Sequence, residues 1–156
     1  MLEISIPAAE RMCLEHLVLD YNGTLAVDGA LLPGVSEALR QLAGQLTIHV
    51  ITADTFGHAR EALATLPCTL TILHAEGQNA AKLAYLRNLG ADRCAAIGNG
   101  RNDRSMIGYA ALGIAVIQKE GAAVETMLAA KVVAPDINSA LELLLNPQRL
   151  VATLRL

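Results

Sequence analysis

At 156 residues the chain suits one domain and leaves no room for a second of ordinary size, so residues 1–156 are expected to form one unit. Hydrophobic residues at 53% and charged residues at 17% exclude a disordered chain. Twelve Lys and Arg against fifteen Asp and Glu give a formal charge of −3 without a basic stripe, and aromatics are 3% with no Trp, so nucleic acid, an anionic membrane and a base-stacking platform are all poor partners.

In chain order, residues 2–6 offer a candidate edge strand and residues 16–20 a core strand ending in Asp20. Asp28-Gly29, set between short apolar arms at 25–27 and 30–32, is a hairpin signal, so a small flap should stand just beyond that strand. Pro33-Gly34 opens a helix over 35–45, followed by a strand over 47–52, a helix over 57–66 and a strand over 69–73. A helix over 79–89 ends at Gly90, then come a strand over 94–98 and a helix over 103–111. Strands over 113–118 and 131–134 flank a helix over 122–130, and Asp136 caps a last helix over 138–145. This alternation predicts a Rossmann-like α/β fold, a parallel sheet with helices on both faces. The tail 147–156 carries an apolar face through Leu150, Val151, Leu154 and Leu156.

Cys13, Cys68 and Cys94 are odd in number and far apart, which yields neither a disulfide framework nor a zinc spacing; buried thiols in a reducing compartment are expected. The first twelve residues lack a basic region followed by an apolar segment, and no apolar run approaches the ~20 residues of a membrane helix. A soluble, cytoplasmic protein is the expectation.

Ligands of open parallel sheets bind beyond the carboxyl ends of the strands. There the sequence places Asp20, Thr52, and Gly98-Asn99-Gly100-Arg101-Asn102-Asp103, with Lys82 entering from the helix after the third core strand. An acid, a hydroxyl, a lysine and a second acid on glycine-softened turns are the parts that phosphoryl transfer to an aspartate requires. His16 and His49 lie in core strands and read as hydrogen-bonded structural residues, whereas His58 follows the Thr52 strand and is a weaker candidate for acid–base work.

Asp20-Tyr21-Asn22-Gly23-Thr24, Thr52, Lys82 and the segment from Gly98 to Asp103 resemble, in order and spacing, the four motifs of the haloacid dehalogenase-like (HAD) superfamily. Thr52-Ala53-Asp54 and residues 110–116 resemble, more narrowly, the soluble proteins related to the phosphorylation domain of P-type ATPases. The resemblance implies Asp20 as the nucleophile that becomes an aspartyl phosphate, and Thr52 and Lys82 as the groups holding the phosphoryl oxygens. It implies Mg²⁺ held by Asp20, the backbone carbonyl of Asn22, Asn99 and Asp103, the last directly or through water. Asp103 has a plain alternative as the N-cap of the following helix.

Two amides depart from the family pattern. Asn22 stands where the family has the acid that protonates the leaving group, a contribution of about 10²–10⁴ in rate, and Asn99 replaces a metal-binding Asp. Thirty-one residues separate Asp20 from Thr52 and twenty-nine separate Thr52 from Lys82, too few for a cap domain of ~50 residues beside the flap, helices and strand already there. The nucleotide-binding insertion of P-type ATPases is missing too.

A capless Mg²⁺-dependent phosphohydrolase, slow for want of its acid, is therefore expected, acting on a small or macromolecular phosphorylated substrate. The rival of a different class is a phosphate- and metal-binding regulatory or interaction protein with little turnover. A response-regulator receiver fits less well, because His74-Ala75 follows the third core strand where a receiver has its phosphorylated Asp. An open site calls for a large substrate or for closure by a second copy, and the tail 150–156 is the candidate docking segment for a homo-oligomer.

Overall fold

In a computed structural model of the chain, which describes residues 1–53 and 57–156, the first element is an antiparallel hairpin of β1 (Leu2–Ser5) and β2 (Arg11–Leu14). After β3 (His16–Asp20) a second hairpin pairs β4 (Ala26–Val27) with β5 (Ala30–Leu31). Then follow α1 (Val35–Leu42), β6 (Thr47–Thr52), α2 (His58–Leu63), β7 (Cys68–Ile72) and α3 (Gln78–Leu89). The rest of the chain runs through β8 (Cys94–Gly98), a 3₁₀ turn at Arg101–Asp103, α4 (Arg104–Tyr109), β9 (Leu112–Val116), α5 (Val124–Ala129), β10 (Val132–Ala134), α6 (Ile137–Leu145) and α7 (Pro147–Leu154).

The central sheet has six parallel strands in the order β10-β9-β8-β3-β6-β7. The inner strands β9, β8, β3 and β6 are buried almost throughout and read as continuous apolar runs, whereas the edge strand β7 alternates threonine with apolar residues and is half-exposed. Leu17 and Leu19 of β3, with Ile48, Val50, Ala95 and Ile97 beside them, face a core closed by α1 and α6. Val18, Ile51 and Ala96 face the other way and meet Leu86 of α3 and Met106 and Ile107 of α4. Fully burying each such leucine, isoleucine or valine stabilises the fold by roughly 1.5–3 kcal/mol.

The flap is the expected hairpin: Asp28 at φ 52° and Gly29 at φ 79° form its turn, the left-handed pair that matches strand twist. Tyr21, buried next to Asp20, donates its hydroxyl proton to the Gly29 carbonyl at 3.1 Å and so ties the flap to the end of β3. Asp136 caps α6, accepting from the backbone N–H of Ser139 at 2.7 Å.

Three expectations are corrected. Residues 2–5 do not edge the central sheet; they pair with β2, which the sequence reading missed, and their Leu2 and Ile4 join the larger core. The apolar tail is a helix folded on its own domain, with Leu150 fully buried and Val151 and Leu154 packed against the same core, so only Leu156 is left widely exposed. Of the three unpaired cysteines only Cys94 is buried; Cys13 and Cys68 are partly so.

Candidate active site

From β3 the chain moves to β6 and β7 on one side, then returns to build β8, β9 and β10 on the other. The sheet therefore switches direction between β3 and β8, and the crevice beyond their carboxyl ends is where an open sheet binds ligands. Asp20 closes β3 there, and Gly98 hands β8 over to the Asn99–Asp103 loop.

Lys82, on α3, is fully buried and donates from Nζ to Asp20 Oδ1 at 2.6 Å and to Asp103 Oδ1 at 2.6 Å. The other oxygen of Asp103, Oδ2, accepts from the backbone N–H groups of Asn99 at 3.0 Å and Gly100 at 2.9 Å. This carboxylate thus turns back onto its own loop, capping the Gly100 N–H at the start of the 3₁₀ turn, and makes no side-chain cap to α4 itself. Gly98 leaves the room: a Cβ there would lie 2.5 Å from Asp103 Cγ. The helix carrying Lys82 is fastened to the same loop, since Asn102 donates to Gln78 Oε1 at 2.7 Å and Asn79 Oδ1 accepts from the Ser105 N–H at 3.1 Å.

Burial, reinforced by the Asp103 charge, pushes the Asp20 carboxyl up to about 7 against the opposing pull of Lys82 and Thr24. For Lys82, burial works against the ammonium, but Asp20 and Asp103 together outweigh it and the pKa moves up. Two buried carboxylates share one ammonium, which leaves an excess negative charge in the crevice when both are ionised.

Thr24, also fully buried, places its hydroxyl oxygen 3.3 Å from Asp20 Oδ2 and 3.3 Å from Asn99 Oδ1, so one proton serves the nucleophile's free side and the amide. Asn99 in turn donates from Nδ2 to the Gly121 carbonyl at 3.0 Å. Asn22 points the other way along the sheet: it is exposed, and its Nδ2 lies 3.4 Å from Thr52 Oγ1 at the end of β6. The six sequence-predicted residues form two bonded groups at the carboxyl ends of neighbouring strands, Asp20, Lys82, Asp103 and Asn99 toward β8 and Asn22 with Thr52 toward β6. Asp54 lies outside the described residues. His58 rests against the flap, its Cδ2 3.3 Å from the Cβ position of Gly29, and His16 and His49 form a chain through His49 to Tyr85, at 3.1 and 2.9 Å.

Oxygen donors surround the crevice: Asp20 Oδ2, Asn99 Oδ1 and, behind Lys82, the Asp103 carboxylate. Hard divalent cations take such a set, and the excess negative charge is what a cation would offset, so these residues fit one. Among the described residues no three His, Cys, Asp or Glu side chains stand close enough to hold an ion by themselves.

Three residues of the site escaped the sequence reading. Thr24 was part of a motif without a role. Gln118, two residues beyond β9, donates from Nε2 to the Gly23 carbonyl at 2.9 Å and the Thr24 carbonyl at 2.6 Å, and accepts from the Ile137 N–H at 3.1 Å. Thr126 donates to the Gly100 carbonyl at 2.7 Å. The strand-end rule, carried on to the fifth core strand, would have drawn Gln118.

A family model for haloacid dehalogenase-like hydrolases matches residues 37–140, a span that includes Thr52, Lys82 and the Asn99–Asp103 loop. An uncharacterized protein of Methanocaldococcus jannaschii is 55% identical over 60 residues, 38% of this chain and 64% of that protein, so the shared stretch spans less than two-thirds of the relative. Among solved structures, a haloacid dehalogenase superfamily (subfamily III A) hydrolase from Legionella pneumophila superposes with a TM-score of 0.72 at 19% identity, over 90% of this chain and 87% of that one. The 3-deoxy-D-manno-octulosonate 8-phosphate phosphatase of Moraxella catarrhalis, in complex with magnesium, phosphate and its sugar, superposes with a TM-score of 0.66 at 18% identity, over 91% and 94% of the two chains. At these identities the likeness is one of fold.

Proposed function

The chain belongs to the haloacid dehalogenase-like hydrolases, and from that premise we propose that it is a Mg²⁺-dependent phosphohydrolase working through an aspartyl phosphate on Asp20. The observation that carries the reading is Lys82, fully buried and 2.6 Å from both Asp20 and Asp103. Burying a lysine is costly unless its charge is paired, and here two carboxylates at the ends of neighbouring strands supply the pairing.

Lys82 orients the Asp20 carboxylate through Oδ1, and the carboxylate attacks phosphorus through the oxygen that does not hold the cation. An Asp20–phosphorus bond forms as the ester P–O bond breaks, and the leaving alkoxide takes its proton from water because Asn22 cannot supply one. A second water then attacks phosphorus, its proton passing to the hydroxide left by the first, and the Asp20 O–P bond breaks to release inorganic phosphate and restore the Asp20 carboxylate. Lys82 and Thr52 hold the phosphoryl oxygens, while Asp103 keeps Lys82 charged and aimed. The cation, held by Asp20, the Asn22 carbonyl and Asn99 with Asp103 behind them, would offset phosphoryl charge.

The placement near the P-type ATPases rests on Thr52-Ala53-Asp54 and on residues 110–116. The chain is read as one domain, whose flap of two residues per strand leaves the crevice open to a small or a macromolecular phosphate. Closure of the crevice by a second copy is a further part of the reading, now without the tail as its docking segment. Three unpaired cysteines support a reducing, cytoplasmic location, and among the described residues no helix is long and apolar enough to cross a membrane.

The test is phosphate release from an aryl phosphate with and without Mg²⁺, together with acid-quench trapping of a phosphorylated peptide containing Asp20. Metal-dependent release and a trapped adduct are expected. Tight binding of phosphate and Mg²⁺ with no release would favour the regulatory binding protein instead.

A further inference from the structure

Asn99 removes a negative charge from the side of the crevice where the cation is read to sit, and a carboxylate from another element stands beside it. We propose that Glu120 supplies the anionic group that Asn99 lacks, accepting hydrogen bonds from water on the bound cation. The inference rests on the cation site of the preceding reading.

Glu120 lies in the loop that follows β9, the strand next to β8. Its Oε2 is 2.7 Å from the point a Cβ on Gly23 would occupy, and Asn99 Oδ1 is 2.8 Å from the same point. Gly23, at φ 76°, is therefore the gap across which the nucleophile loop, Asn99 and Glu120 meet. A side chain at position 23 would push the carboxylate and the amide away.

The loop is held in this place from several directions. Its tight turn closes with the Gly121 N–H donating to the Gln118 carbonyl at 3.2 Å, and Gln118 adopts a left-handed φ of 46° that non-glycine residues seldom take. Gln118 then clamps the carbonyls of Gly23 and Thr24, and Asn99 Nδ2 clamps the Gly121 carbonyl. Strain and four side-chain bonds fix a turn whose only carboxylate is Glu120.

Position decides which of the two missing acids Glu120 replaces. Asn22 reaches toward Thr52 on the β6 side of β3, whereas Glu120 arrives with Asn99 on the β8 side. It therefore makes up for the charge absent at Asn99 and leaves the leaving-group acid absent. Mg²⁺ retains several waters in protein sites, so a carboxylate beyond direct reach still acts on it through them. Glu120 is exposed, open to such waters without a desolvation cost.

The experiment is calorimetric titration of Mg²⁺ into the full chain without substrate, for wild type, Glu120→Gln, Glu120→Lys and the double variant Glu120→Gln with Asn99→Asp. Glu120→Gln is expected to bind Mg²⁺ about tenfold more weakly, Glu120→Lys more weakly still, and the double variant to regain most of the loss. Melting temperatures without Mg²⁺ should be unchanged by Glu120→Gln. Wild-type affinity in both Gln and Lys variants would overturn the role of Glu120 while leaving the cation site standing. No binding to wild type would overturn the cation site, and the role of Glu120 with it.

Discussion

Lys82 donates to Asp103 over 2.6 Å with neither side chain exposed to water, and the same ammonium reaches Asp20 at 2.6 Å. Lys82 and Asp20 are not equivalent members of this triad. Removing Asp20 leaves one buried cation facing one buried anion, whereas removing Lys82 leaves two buried carboxylates facing each other. Asp20→Asn is expected to abolish turnover while keeping or raising the melting temperature in metal-free buffer. Lys82→Met should cost about 3–5 kcal/mol near pH 8 and less near pH 5, where a carboxyl takes up a proton. Denaturant melts of both variants check this, and equal destabilisation by the two would refute the asymmetry.

Gly98→Ala tests the room given to Asp103. The new methyl would start 2.5 Å from Asp103 Cγ, with the carboxylate pinned by the Asn99 and Gly100 N–H groups and by Lys82. Overpacking of this kind costs about 1–3 kcal/mol. Because the group displaced is the one that aims Lys82, kcat should fall in a sample that is still folded; an unaltered kcat would show that Asp103 does not position the lysine.

The half-buried chain from His16 through His49 to Tyr85 carries a pH dependence of its own. Burial, with a smaller effect from His16, lowers the pKa of His49 from its ordinary value of 6.5. The unfolded chain then binds more protons than the folded one below that value, so the contribution is fully present above pH 6.5 and is lost as pH falls through the depressed folded pKa. Denaturant stability of wild type should decline over that range, and His49→Asn should show a shallower decline. Parallel curves for the two proteins would remove His49 as the titrating group.

The sequence read best where local pattern and tertiary role coincide. Residues 16–20, 47–52 and 94–98 are strands with the expected bounds, because each is a short apolar run with polar residues at its ends and sits in the middle of the sheet. Residues 11–14 offer too short a run, Met12-Cys13-Leu14, and only Glu15 separates them from β3, so no turn signal marks two strands in two sheets. The six site residues were found from strand ends and motif order. Gln118 and Glu120 were not, because their roles arise from a turn whose clamps come from residues about 20 and 95 positions away, Asn99 and the Gly23 carbonyl, and no local pattern encodes that approach.

The two amides separate rate from metal dependence. Asn22 is exposed at the mouth of the crevice with a 3.4 Å contact to Thr52 Oγ1, so Asn22→Asp introduces a carboxylate without burying it and leaves the Lys82 triad untouched. A carboxyl there can give its proton to the leaving alkoxide and later take one from water, and turnover should rise on the order of 10–10³, more for alkyl than for aryl phosphates because aryl oxides leave without help. Asn99 is nearly buried, shares the Thr24 proton with Asp20 and donates to Gly121. Asn99→Asp therefore adds charge to the cation's surroundings, lowering the Mg²⁺ concentration needed for half-maximal rate, and at the same time forfeits the bond to Gly121 and costs stability in metal-free buffer. Running each variant through a Mg²⁺ titration on one alkyl and one aryl phosphate distinguishes the effects. If Asn22→Asp leaves alkyl-phosphate turnover flat in folded, Mg²⁺-saturated protein, the want of an acid is not what limits this chain. The open crevice would then be a place where phosphate is held rather than cleaved.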